Sequence, residues 1–192
     1  DALLGRAQAV LADAGGPDGE LDAAIRDGER ARLQVRQAVL LMQRADYQPA
    51  LEMAKRAFTF LALTDQHVEV ANLQLTMGAC HQSLGRLEKA EEFYLDSLST
   101  YRRVDDEVGV ATLYNALAML HKAACRWDKA LALLDKAAQL AERHGAPQLL
   151  AMFHLNRGIV LIKANRLAEA RTVLQKSLEL SRSLGDRIRE PK

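Results

Sequence analysis

Leu84-Gly-Arg-Leu-Glu-Lys-Ala90 decides the fold, because the chain writes this stretch four times. Forty residues earlier stands Arg44-Ala-Asp-Tyr-Gln-Pro-Ala50. Forty later comes Ala124-Cys-Arg-Trp-Asp-Lys-Ala130, and forty later again Ala164-Asn-Arg-Leu-Ala-Glu-Ala170, with no gap anywhere. Further columns keep the phase. Twelve residues before each closing alanine sits another small residue, Ala38, Gly78, Ala118 or Gly158. Seven after it sits Ala57, Ser97, Ala137 or Ser177, and three before it a bulky side chain, Tyr47, Leu87, Trp127 or Leu167. Columns in register over three periods mark an internal repeat, which has to be read before any single element.

The columns have a packing logic. A small residue on the first helix lets a second helix come close, and the small residue on that second helix faces it, so ridges seat in grooves. The bulky residue after the turn plugs the open end of the pair. Turns of two or three residues make the two helices antiparallel neighbours.

Composition agrees. Of 192 residues, 32 are Ala and 32 Leu, while only 5% are aromatic, which favours helix over strand. Hydrophobic content of 49% with 27% charge fits a globular chain rather than a disordered one. First helices are expected at about 20–44, 66–84, 107–124 and 147–164, and second helices at about 47–62, 87–102, 127–143 and 167–183. A shorter helix at about 2–14 precedes them. Gly15-Gly-Pro-Asp-Gly19 breaks the pattern, with Asp18 placed to cap the next helix. Asp46 can cap the second helix of the first pair, and Pro49 is tolerated in its first turn. Gly145 and Pro147 stop one helix and start the next, and Leu184-Gly-Asp-Arg187 reads as a connector.

These residues resemble the tetratricopeptide repeat. The resemblance rests on Gly78 or Ala118, the turn residue Gly85, then Ala90, Tyr94 and Ser97. Tyr114, Leu117, Ala118, Ala130, Leu134 and Ala137 carry it in the third unit. It covers about residues 31–184 and departs from the family in length, since the family's unit is shorter than the 40 residues seen here. Longer units of this kind are similar to those of kinesin light chains, polarity scaffolds and the regulatory domains of bacterial transcription activators. HEAT repeats share the period but not the Gly/Ala columns. The resemblance implies an all-α, right-handed solenoid of about four antiparallel hairpins plus an N-terminal helix. It implies one repeat domain over 1–192, with units at about 25–64, 65–104, 105–144 and 145–184. Residues 1–17 then belong to an upstream repeat, and the chain is a fragment of a larger protein.

Signatures of chemistry are missing. No phosphate-binding, dinucleotide or nucleophile-elbow motif occurs, so no catalytic residue and no cofactor is expected. His81 and His121 occupy one repeat position and read as half-buried core imidazoles; His67, His144 and His154 read as surface or connector residues. His121 and Cys125 have ligand spacing on a helix but no third ligand, so no metal is expected. Glu91-Glu92 and Asp105-Asp106 read as solvated charge. Arg26, Arg30, Arg32 and Arg36 are interleaved with Asp22, Asp27 and Glu29, which suits helix ion pairs better than a nucleic-acid stripe. Net charge is +1, so neither nucleic acid nor an anionic membrane is an expected partner. Two cysteines without a metal or redox spacing point to a reducing, cytoplasmic setting.

What remains is a binding wall. By resemblance the first helices line the inner face, at the second, fifth, sixth, ninth and twelfth positions counted from Ala31, Ala71, Ala111 and Ala151. The candidate groove residues are Val35, Val39 and Met42; Asn72, Leu75 and Gln82; Asn115, Met119 and Lys122; and Leu155, Asn156, Ile159 and Ile162. Such a wall suits an amphipathic helix or an extended peptide, with Asn72, Asn115 and Asn156 holding its backbone. The competing reading is that these side chains are core. The carboxylate clamp of the chaperone-binding members would need Lys and Asn at the fifth and ninth positions. Those positions hold Val35/Val39, Leu75/Ala79, Asn115/Met119 and Leu155/Ile159, so that role is excluded. The expected function is a non-catalytic interaction module of a signalling or transcription-regulating protein. The alternative is a spacer that self-associates into a homo-oligomer.

Overall fold

The computed structural model describes residues 17–63 and 65–189, with side chains described from 28 to 185. Within these residues there are eight helices and no strand: α1 Pro17–Gln43, α2 Tyr47–Leu61, α3 His67–Ser83, α4 Leu87–Arg103, α5 Glu107–Ala123, α6 Trp127–Arg143, α7 Pro147–Lys163 and α8 Leu167–Arg189. The expected helix at 2–14 lies outside the described residues. The chain divides between Gln66 and His67 into two compact units, the first holding the α1/α2 hairpin and the second α3 to α8.

The 40-residue period is a 20-residue period run twice. Helices α3 to α7 are each 17 residues long and are separated by three-residue turns. Each three-residue turn closes in the same way. In the α3–α4 turn, Arg86 N donates to His81 O at 2.9 Å and Gly85 N to Gln82 O at 3.0 Å, the two bonds of a Schellman motif. That motif needs one left-handed residue, and Ala45, Gly85, Asp105, Cys125, Gly145 and Asn165 supply it, with φ between 55° and 73°. The residue after each becomes the N-cap of the next helix. Asp106 is one of them, and its carboxylate accepts from Gly109 N at 2.8 Å. Asp46 holds the expected N-cap place, but its side chain makes no capping bond. Pro147 opens α7 two residues after Gly145, as a missing N–H at the first helical position allows.

Two boundaries differ from expectation. Asp18 lies within α1 rather than before it. α8 runs through Leu184-Gly-Asp-Arg187 to Arg189, so that stretch is helix and not connector. Glycine permits a left-handed turn without forcing one. Gly145 takes the left-handed backbone with φ 58°, whereas Gly185 keeps helical backbone within α8.

In the second unit α3/α4, α5/α6 and α7/α8 are the hairpins. The first helices touch in succession, α3 with α5 and α5 with α7, and each second helix packs on the next first helix. The backbones of the second helices α4 and α6 do not come close to each other. The core threads this arrangement. Tyr94, Leu98 and Tyr101 from α4 join Val110, Leu113 and Leu117 from α5. Leu131 and Leu134 from α6 join Val160, Leu161 and Val173 from α7 and α8. Each hairpin is thus glued to the next through its second helix, which is how repeats without a private core gain stability.

The small-residue columns sit in this core. Ala50, Ala90 and Ala130 are fully buried, and Ala170 nearly so. The residue lying against Gly78 is Tyr94, sixteen on, and the one against Gly158 is Leu174, again sixteen on. The serines of the last column gain a bond their alanine counterparts lack: Ser97 Oγ donates to Ala71 O and Ser177 Oγ to Ala151 O, each at 2.7 Å.

Candidate functional site

The thirteen candidate wall residues stand on first helices, and none of them is buried. In the first unit Val35, Val39 and Met42 are half-buried on α1. In the second unit Leu75, Gln82, Asn115, Met119, Lys122, Asn156 and Ile159 are half-buried and Asn72 is exposed. Leu155 and Ile162 are each 47% exposed. A step round the same helices the environment inverts: Leu73, Leu113, Phe153, Val160 and Leu161 are fully buried. The helical period therefore separates a core stripe from an open apolar stripe. Leu75 and Met119 do both jobs, lying at the edge of the core clusters while keeping solvent contact. Thr76, also read as a wall position, is buried instead, its hydroxyl turned back on Asn72 O at 2.9 Å.

The amides of the wall are already partly engaged. Asn156 Nδ2 donates to Asn115 Oδ1 at 2.8 Å, tying α7 to α5. Tyr101 Oη donates to Asn72 Oδ1 at 2.6 Å, and Tyr94 Oη to Gln82 Oε1 at 2.9 Å. Among the described residues this leaves Asn115 Nδ2 and Asn156 Oδ1, one donor and one acceptor, without a protein partner. The repeat pattern by itself does not announce the tyrosine partners. Their signal in the sequence is the glycine sixteen residues before Tyr94, since a large ring needs a missing Cβ opposite it. Burial pushes the Tyr101 hydroxyl up to about 12 and raises that of Tyr94 further, so both stay protonated donors.

The histidines and cysteines are spread through the fold. His81 is buried and stacks on Phe93, centroids 5.3 Å apart and planes 8° from parallel. His121 is half-buried, and burial lowers its affinity for a proton. His154, expected at the surface, is half-buried on α7, and burial lowers its pKa too. Cys80 is buried, with its thiol raised to about 11, and Cys125 is exposed at a turn. Among the described residues no three His, Cys, Asp or Glu side chains come together where a metal could sit. No helix there is long and apolar enough to cross a membrane. Arg30, Arg32 and Arg36 are not buried and make none of the expected ion pairs among the described side chains; Asp22, Arg26 and Asp27 lie outside them.

One polar cluster escaped the sequence reading. Glu107, at the start of α5, accepts from His144 Nε2 at 2.6 Å and from Arg143 Nη1 at 3.2 Å, both at the end of α6. The residues lie 36 and 37 apart, close only because the hairpin folds back.

The chain is 26% identical over 142 residues to a kinesin light chain-related protein 3 of Arabidopsis thaliana, an alignment covering 71% of this chain. It spans only 22% of that relative's length. Among solved structures it is similar to BtubC (BKLC) from P. vanneervenii, with TM-score 0.69 and 21% identity, over 81% of this chain and 64% of that one. It is also similar to the Rap conjugation gene regulator of the plasmid pLS20, solved in complex with the Phr* peptide. That TM-score is 0.75 at 17% identity, over 83% of this chain and 44% of the other. The tetratricopeptide repeat model matches residues 29–103, 69–143 and 109–183, three windows stepped by the same 40 residues that the columns show; the chain belongs to the tetratricopeptide repeat family.

Proposed function

We propose that the chain is a non-catalytic protein-interaction module that binds a peptide or an amphipathic helix along its first-helix wall. The observation that carries this reading is the open apolar stripe on α7, where Leu155 and Ile162 are each 47% exposed beside the fully buried Phe153 and Leu161. Leaving such side chains in water is costly, and a contiguous apolar patch is a common mark of a docking surface. The peptide held by the Rap regulator supports the same use of the fold. The chain would work as one repeat domain in the cytoplasm, as the scaffold or regulatory part of a larger signalling or transcription-regulating protein. Its coverage of 22% of the Arabidopsis relative fits that role.

The test compares the chain with Leu155→Asp, measuring the partner retained from a source lysate and the thermal midpoint of each protein. A partner lost with the midpoint kept supports the wall. A partner retained by the variant, or a variant that unfolds, overturns it. A second reading, self-association as an oligomerisation spacer, draws on Leu167 and Leu178 of α8, exposed by 60% and 44%. A molar mass that rises with concentration in light scattering, and falls in Leu178→Asp, favours that reading.

A further inference from the structure

The backbones of α4 and α6 stay apart, and an open valley of about 350 Å3 lies between them, floored by α5. Its lining comes from α4, α5 and α6 and includes none of the candidate wall residues, although Tyr101 on the α4 side reaches Asn72 of that wall through its hydroxyl. Its floor carries Tyr114 and Val110, and Leu140 lines the α6 bank. Arg102 on one bank and Lys136 on the other both approach the Tyr114 ring, at 6.0 Å and 5.8 Å from its centre. Arg102 is fixed there by donating from Nη2 to Tyr114 Oη at 2.9 Å.

Neither cation is paired with a carboxylate. Among the described residues Arg102 and Lys136 form no ion pair, whereas Arg143, further along the valley, is committed to Glu107. One acid without an ion pair, Asp105, also lines the valley, leaving an excess of one positive charge. The chemistry is particular to this place. At the matching repeat positions forty residues on stand Glu142, His154 and Lys176, so the paired cations are not a general property of the repeat.

We propose that this valley docks an acidic segment of a partner protein through a glutamate side chain. The carboxylate sits between Arg102 and Lys136, and the methylenes rest on Val110 and Leu140. A guanidinium held against an aromatic ring is already ordered, so less side-chain entropy is lost when it binds a carboxylate. Two cations with no basic stripe leading from them suit a single carboxylate. A nucleic-acid backbone needs several more.

The test titrates the full chain with a fluorescein-labelled hexaglutamate peptide at low salt, with hexaglutamine as the neutral control. The expected result is saturable binding of hexaglutamate alone, with shifts of the Tyr114 ring resonances. Affinity should fall about tenfold or more in Lys136→Glu, an exposed site where charge reversal leaves the fold intact. Affinity should be unchanged in Ile159→Asp, which alters only the first-helix wall. Four results would overturn the proposal: no saturable binding, undiminished binding by Lys136→Glu, displacement of the peptide by equimolar inorganic phosphate, or an equal loss in Ile159→Asp.

Discussion

The Tyr94 ring lies flush against the backbone of Gly78, so that a Cβ added to Gly78 would come within 2.5 Å of its Cε1. Tyr94 is 2% exposed and belongs to the cluster joining α4 to α5, so it has no room to retreat. Gly78→Ala should therefore destabilise the chain even though alanine is the better helix former, by roughly 1–3 kcal/mol, as for other overpacked cores. The third hairpin solves the same contact with Ala118 and Leu134. Adding Tyr94→Leu to Gly78→Ala should restore part of the loss, less the bond from Tyr94 Oη to Gln82. A double-mutant cycle by urea denaturation checks this; strictly additive losses would mean that the two residues are not coupled.

How far the fold can be read from the chain depends on the same contacts. The Gly/Ala columns place every described helix to within a few residues, except at the ends of α1 and α8, because small residues at fixed spacing have one steric purpose. The left-handed turns are legible at Gly85, Gly145 and Asn165, residues suited to that backbone. They are not legible at Ala45 or Cys125, which take that backbone against their preference within the same hydrogen-bonded turn. The open stripe of the wall is set by the helical period. The hydrogen bond from Tyr101 to Asn72, the Glu107 cluster and the cationic valley join residues on different helices. Their geometry is set by how hairpins stack, which no local pattern encodes.

Cys125 occupies the left-handed turn position with φ 56°, where a Cβ crowds the backbone. Cys125→Gly should stabilise the chain by about 1 kcal/mol, since the strain is relieved at a turn that makes no use of the side chain. Gly85→Ala, at φ 73°, should cost a similar amount although its Cβ would touch nothing within 4 Å. Denaturant midpoints decide it. A Cys125→Gly protein less stable than the parent would show that the thiol side chain contributes packing there.

Glu107 is held below the ordinary glutamate value of 4.5, first by the hydrogen bond from His144 and then by Arg143. A carboxylate whose pKa is depressed by folding contributes stability above its unfolded value, and that contribution disappears as pH falls through the folded value. The cluster should therefore support the α5/α6 hairpin at neutral pH and lose its effect below 4.5. Glu107→Gln should shift the urea midpoint at neutral pH and leave it unchanged in acid. An equal shift at both pH values would assign the effect to packing rather than to charge.

Ala130 and Leu155 test the division between core and wall most directly. Ala130 is fully buried among Leu131, Leu134 and Val160, where two helices meet through their smallest side chains. Ala130→Asp forces a longer side chain into that contact and buries a carboxylate with no partner nearby. Either effect alone costs several kcal/mol, on the order of a small domain's whole stability. Leu155 sits on α7 with 47% of its surface already in water, so Leu155→Asp removes little buried area. The two aspartates should then behave oppositely in circular dichroism. Ala130→Asp loses the cooperative thermal transition, and Leu155→Asp keeps it within a few degrees of the parent. An Ala130→Asp protein that melts like the parent would break the repeat register on which the hairpin packing rests. A Leu155→Asp protein that fails to fold would move the wall into the core.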